Sequence, residues 1–282
     1  MNMKKRAILS VNIAVLLFGL AGLFAKWISL PAICITFGRV LFSSLALGLF
    51  MLVRRQSFRI AAGKDAVLLV CAGAVLALHW WSFLESIQLS TVAIGTITFS
   101  AFPLFVTFLE PLVFRQKLSR RNVLIAVVIL IGVFITVPEF SAQNSMFLGI
   151  VIGMLSALAY AVLTLMNKDF SEKYSGTMTA FYEQATAAMI LLPFALKVDI
   201  PPSASEIGLL LFLGIVTTAV AHTLFISSLK TLPAQLAGVF SSMETVYGIL
   251  FAFLLLGEVP SVREIIGAAM ILSAVIAAQR GG

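Results

Sequence analysis

The chain has 282 residues, is 61% hydrophobic and only 11% charged, and carries a net charge of +7. A soluble domain carries about 25% charged residues, so this composition, with a mean hydropathy of +1.09, excludes one large soluble core. Two cysteines, Cys34 and Cys71, both inside apolar stretches, exclude a disulfide framework.

Ten apolar stretches are predicted as membrane-crossing helices, at about 7–28, 32–53, 65–83, 91–114, 121–138, 146–167, 177–197, 206–228, 233–256 and 262–279. They are apolar all round and too long for barrel strands, which alternate over about ten positions. Met1–Arg6 and the run after it resemble a signal peptide, but no clear A-x-A site follows, so the first stretch reads as a retained helix. The second stretch holds Arg39, the third His79, Trp80 and Trp81. The fourth holds Thr98, Pro103 and Pro111, with Glu110 at its end, placed to snorkel or to pair with Arg115. The sixth carries Gly149, Gly153, Ala157 and Ala161 at four-residue spacing, a stripe that lets another backbone approach closely. No connection exceeds about a dozen residues, which leaves no room for a soluble receptor, catalytic or nucleotide-binding domain.

The cations lie at alternate ends of the stretches. With a cytoplasmic N-terminus, the inside set is Lys4, Lys5, Arg6, Arg54, Arg55, Arg59, Lys64, Arg115, Lys117, Arg120, Arg121, Lys168, Lys173, Lys230 and Arg280. Only Lys26, Lys197 and Arg263 fall outside. Fifteen against three follows the positive-inside rule, places both termini in the cytoplasm and accounts for the basic charge without nucleic acid. Anionic lipid headgroups are the expected partner of these cations.

Shifted by 143 positions, part of the chain lines up with itself: His79 falls on His222, Leu89 on Leu232, Gly95 on Gly238, Phe108 on Phe251 and Leu112 on Leu255. Five stretches per half is an odd number, so the second half enters the membrane upside down relative to the first. The expected fold class is an all-α integral membrane protein of ten helices in two inverted five-helix repeats, 1–140 and 141–282, forming one domain. Secondary transporters are built this way, with the substrate between the halves near the midplane.

Ionisable groups inside a membrane are costly, roughly 3 kcal/mol or more near the centre, and so mark function. Glu244, mid-way along the ninth stretch, could bind a substrate ammonium or carry a proton; the plainer alternative is a structural carboxylate. Arg39 could hold a substrate carboxylate bidentately or pair with a carboxylate as a gate or strut. Glu183, beside Gln184, is its mate at an offset of 144. His79 and His222 suit interhelical hydrogen bonds better than a metal, since two histidines alone make a poor ligand set. Trp80 either faces a cavity and stacks on a planar or cationic group or belongs to the interfacial belt. Asn12, Tyr160, Tyr247 and Thr98 are further polar groups at useful depth, with Tyr182 beside Glu183, and interhelical bonding is their plainer role. The 23 phenylalanines are ordinary for lipid-facing helices.

Several of these residues resemble the drug/metabolite transporter superfamily in its EamA-type branch. His222-Thr223-Leu224-Phe225, Ser228-Leu229-Lys230, Met243-Glu244-Thr245-Val246-Tyr247-Gly248 and Leu255-Leu256-Gly257-Glu258-Val259-Pro260-Ser261 are similar to its ninth-span region, and Arg39, after Phe37-Gly38 in the second stretch, resembles an arginine often seen in the family's second span. The resemblance covers nearly the whole chain. It departs where the family often has a proline, here Thr245, and where the first half has Phe114-Arg115-Gln116-Lys117 against Gly257-Glu258 in the second. It implies export or exchange of a small metabolite such as an amino acid.

The expected function is therefore secondary transport by alternating access, most readily export from a bacterial cytoplasm across the inner membrane. Its partners would be a small-molecule substrate, protons in one version, and lipid; no cofactor is expected. Small-residue stripes also serve contacts between chains, which leaves a homodimer open. Import or obligate exchange of the nucleotide-sugar type is the alternative. An intramembrane enzyme finds no support, since the chain lacks H-E-x-x-H and G-x-S-x-G, and the absence of G-x-x-x-x-G-K-[ST] argues against direct use of ATP. A channel would show a continuous polar lining, where these stretches show isolated polar groups.

Overall fold

The protein is described here by a computed structural model covering residues 3–114, 120–137, 141, 143–232 and 234–279. Arg115, Lys117, Arg280 and the side chain of Glu110, which enter the charge reading, lie outside the described residues.

All regular secondary structure among the described residues is helical, with no strand among them. In chain order the helices are α1 (Met3–Ala21), α2 (Phe24–Trp27), α3 (Ala32–Val53), α4 (Gly63–Leu89), α5 (Val92–Phe99), α6 (Phe102–Phe114), α7 (Arg120–Thr136), α8 (Ser145–Lys173) and α9 (Gly176–Ala195). They continue with α10 (Ala204–Gly214), a π-helical stretch (Ile215–Val220), α11 (Ala221–Leu229), α12 (Ala234–Leu256) and α13 (Val262–Gln279). Among the described residues six helical runs are long and apolar enough to cross a membrane: Met3–Trp27, Ala32–Val53, Gly63–Leu89, Val92–Leu109, Ser145–Lys173 and Ala204–Leu229. Val123–Thr136 and Phe240–Leu256 are shorter apolar helices. α9 is long enough, but Tyr182, Glu183 and Gln184 interrupt its apolar character. The chain is a multi-pass membrane protein.

Local chemistry explains the boundaries. Asn144 caps α8 by accepting from Met146 and Phe147, and Ser203 with Glu206 forms a capping box on α10. The break at Ser100–Ala101 comes just before Pro103, whose missing N–H leaves Phe99 without its helical donor. The π-helical stretch is stabilised by Thr217 and Thr218, whose hydroxyls both donate to Leu213 O, at 2.9 and 2.7 Å.

α4 packs along α8, α3 along α9, α7 along α13, and α1 along both α12 and α11. The stripe Gly149, Gly153, Ala157 and Ala161 is buried within the chain, in the seam of α8 with α4 and α5. One large apolar core runs through α1, α3, α4, α8 and α11, and a smaller one joins α5, α6, α7 and α13.

Both ends of the bundle are tied across. At one end Ser29 N donates to Glu206 at 3.0 Å, Val92 N to Glu258 at 3.0 Å, and Thr91 Oγ1 to Glu264 at 3.1 Å. There Gln88 also accepts from Ala32 N at 2.9 Å and donates to Leu30 O at 2.8 Å. At the other end Tyr174 donates to Asp65 at 2.6 Å and Tyr182 to Phe58 O at 2.5 Å. The bond to Asp65 pushes the Tyr174 hydroxyl above its ordinary value.

Candidate functional site

Between the tied ends lies a narrow cavity of about 20 Å³, room for about one water. It is lined by Phe18 and Ala21 of α1, Arg39 of α3, and His79, Trp80 and Phe83 of α4. Phe99 of α5, Tyr160 of α8, His222 of α11 and Glu244 of α12 complete it. Polar side chains from five separate helices therefore converge on one small space.

Arg39 is 1% exposed, the largest fully buried side chain among the described residues. Glycines bring its helix close enough to be held: a Cβ on Gly214 would come within 2.9 Å of Arg39 O, and one on Gly38 within 2.9 Å of Leu210. The guanidinium lies 4.0 Å over the Trp80 ring, and Nε donates to Thr218 Oγ1 at 3.1 Å. Thr218 passes its own proton to Leu213 O, which leaves its oxygen lone pairs for Arg39. No carboxylate among the described residues is within ion-pair distance of Arg39. Glu244, at 6% exposure, lines the same cavity and has no hydrogen bond or ion pair among the described residues. The two groups share the cavity without touching.

Glu183 stands behind the wall. Its Oε2 meets His222 Nε2 at 2.7 Å, and His222 sets its ring edge-on to Trp80 with centroids 5.4 Å apart. His79 makes a different bond, with Nδ1 2.8 Å from Ser156 Oγ, and packs against Tyr160 at 4.8 Å. Both imidazoles therefore join helices, as their isolation in the sequence leads one to expect.

Six of the ten candidate residues, Glu244, Arg39, Trp80, His79, His222 and Tyr160, meet at the cavity, and Glu183 adjoins it through His222. The other three stand apart. Asn12 donates to Ile8 O of its own helix at 2.7 Å, and Thr98 to Ile94 O at 2.8 Å. Tyr247 lies half-buried at the α1 seam and stacks on Phe251 at 6.5 Å. Phe18, Phe83 and Phe99 are buried in the cavity wall, a correction to treating the phenylalanines as lipid-facing. Thr218 escaped the sequence reading too. Its signal was the Thr217-Thr218 pair inside an apolar stretch, where hydroxyls can reorganise a helix. Among the described residues no three His, Cys, Asp or Glu side chains gather to hold a metal.

A buried guanidinium and a buried carboxylate thus flank a small aromatic-walled space inside an all-helical membrane bundle. The EamA-like transporter family matches the chain over residues 5–137 and again over 147–278, and the chain belongs to that family. An uncharacterized transporter of Archaeoglobus fulgidus is 26% identical over 274 residues, covering 96% of this chain and 95% of that one. An S-adenosylmethionine uptake transporter of Rickettsia prowazekii is 25% identical over 249 residues, covering 86% and 81%. The pseudopaline exporter CntI of Pseudomonas aeruginosa is 24% identical over 283 residues, covering 99% and 98%. A solved crystal structure shares the fold with a TM-score of 0.71 at 18% identity, over 97% of this chain and 96% of that one. The protein is thus a drug/metabolite-type transporter, not an enzyme, and it takes a small-molecule substrate.

Proposed function

We propose that the protein is a secondary transporter that moves a small metabolite with a carboxylate and a cationic group, such as an amino acid or a derivative of one, by alternating access. The observation that carries this reading is the cavity itself. Arg39 and Glu244 both face it, with no ion pair between them or to any other described residue, so each is available to an opposite charge on a cargo. Trp80 and the rings of Phe18, Phe83, Phe99 and Tyr160 suit a planar or apolar body. A cavity of about 20 Å³ holds no metabolite, so loading requires the surrounding helices to part at one tied end or the other.

Ten spans in two inverted repeats, 1–140 and 141–282, are the architecture this reading uses. Support comes from the family match, which falls twice along the chain, and from the packing. Exchanging the first five rods for the second turns α4 on α8 into α11 on α1, and α5 and α6 on α8 into α12 on α1. It leaves α3 on α9 and α7 on α13 as self-paired seams. With the cation asymmetry of the sequence, both termini are cytoplasmic in a bacterial inner membrane. A periplasmically active reporter at the C-terminus would contradict this.

Export is the direction the family resemblance favours, and the relative named an exporter covers nearly the whole chain. The uptake relative supports the opposite direction, or exchange. Proteoliposomes loaded with pooled labelled metabolites, S-adenosylmethionine among them, test the reading. Saturable efflux of one class that disappears in Arg39→Gln is expected. Flux seen only with substrate on both sides would replace export by exchange. No flux in either arrangement, from protein shown to be folded, would overturn transport of this cargo class.

A further inference from the structure

Behind the cavity wall, α9 and α11 hold a second polar feature that cargo binding does not use. Glu183 is fully buried, and only Oε2 is bonded; Oε1 has no partner among the described residues. Thr179, one turn earlier on the same helix, likewise has a buried hydroxyl without a partner. At the start of α9 the two helices almost touch, since a Cβ on Gly176 would come within 2.9 Å of both Ser227 N and Thr223 O. From Gly176 through Thr179 to Glu183, a polar line thus follows a tight seam and ends on His222, which lines the cavity.

A buried carboxylate acting as a fixed strut is normally satisfied at both oxygens, because each unmet bond costs about 1–3 kcal/mol. An open carboxylate oxygen next to an imidazole is instead what a group needs if it gains and loses a proton. The charges facing the pair matter here. Arg39 comes from α3, His79 from α4, Tyr160 from α8 and Glu244 from α12. α1 presents Phe18 there, and Lys168 of α8 bonds Leu229 O at the far end of α11. The pair can hold one proton between its carboxylate and imidazole, and a cationic cargo in the adjoining cavity disfavours that proton, because like charges repel strongly away from water.

We propose that Glu183 and His222 are the proton-binding site of the transporter, and that a proton held there exchanges for a cationic cargo molecule. This deepens the transport reading above and rests on it. Trp80 is the link. It contacts His222 with its edge-on ring and Arg39 with its face, so a cargo group that draws Arg39 away changes the surroundings of the pair. The proton enters and leaves by the Thr179 seam, and no covalent bond of the cargo is made or broken.

Two measurements on the reconstituted full chain test this. Infrared difference spectra on acidification should show a carboxylic-acid C=O band that is lost in Glu183→Gln and kept in Glu244→Gln. Vesicles containing a pH dye, given labelled S-adenosylmethionine as the cationic probe and labelled serine as the neutral one, report proton movement with cargo. Wild-type protein should move protons opposite to the cationic probe. Glu183→Gln should still exchange label for label, with proton-driven flux down roughly tenfold or more. If Glu183→Gln does not fold, His222→Gln should shift the band and lose proton coupling in the same way. The C=O band surviving in Glu183→Gln, or undiminished proton counterflow in that variant, would overturn the proposal. If neither probe crosses in wild type, the choice of cargo fails, and the infrared band still decides whether this pair takes the proton.

Discussion

His79 and His222 stand 143 positions apart at matching places in the two halves of the chain, both on the cavity wall, yet they keep different company. His222 meets a carboxylate, Glu183, at 2.7 Å. His79 meets a hydroxyl, Ser156, at 2.8 Å, inside a ring of aromatic side chains formed by Trp80, Phe83, Phe99 and Tyr160. A carboxylate keeps a charge state in play, whereas a hydroxyl only fixes ring orientation. Two histidines 143 positions apart thus differ in what a single neighbouring helix sets against them.

Breaking the charged half should do the most damage. Arg39→Gln removes the one guanidinium that lines the cavity among the described residues, and transport of a carboxylate-bearing probe should fall by about a hundredfold, the worth of roughly 3 kcal/mol. Size-exclusion profiles should stay normal; full flux in this variant would remove Arg39 from the site. Glu244→Gln should likewise abolish or uncouple transport while the protein stays folded, and wild-type flux with wild-type pH dependence would exclude Glu244 from cargo or proton handling.

Next in size is the imidazole comparison. His222→Ala strands a buried carboxylate, which costs about 3–5 kcal/mol, so melting in detergent should drop sharply. His79→Asn gives up a neutral bond worth about 1 kcal/mol, and Ser156 Oγ keeps its bond to the residue-79 carbonyl at 3.1 Å. Its melting curve should move by a few degrees only. Equal losses in the two variants would erase the contrast. The smallest effect belongs to Thr98→Val, because that hydroxyl serves its own helix; flux should stay within about twofold of wild type, given the modest worth of such backbone bonds.

Much of the architecture was legible because burying backbone in lipid permits little else than long apolar helices. Arg39, Glu244, Trp80 and the two histidines were visible because charge or ring size is conspicuous in an apolar stretch. Facing was not. Asn12 and Thr98 lie at depths as promising as Tyr160, but each turns its polar atom back onto its own helix. A rotation about the helix axis, which depth along a stretch does not specify, separates the two outcomes. The aromatic wall was hidden for the same reason: Phe18, Phe83 and Phe99 differ from lipid-facing phenylalanines only in which way they point. Thr218 was hidden by helix geometry, since ideal 3.6-residue turns do not anticipate a π-helical stretch.

That stretch sets the phase of everything after it. A π-helical turn takes in one more residue than an α-helical turn, so α11 is advanced by one position, about 100° of rotation, relative to an uninterrupted helix from Ala204. His222 looks into the cavity only because of this offset. Deleting one residue between Ile215 and Val220 would give a regular helix with His222 still in place, whereas winding all six of those residues as regular α-helix would turn His222 about 100° away from Glu183.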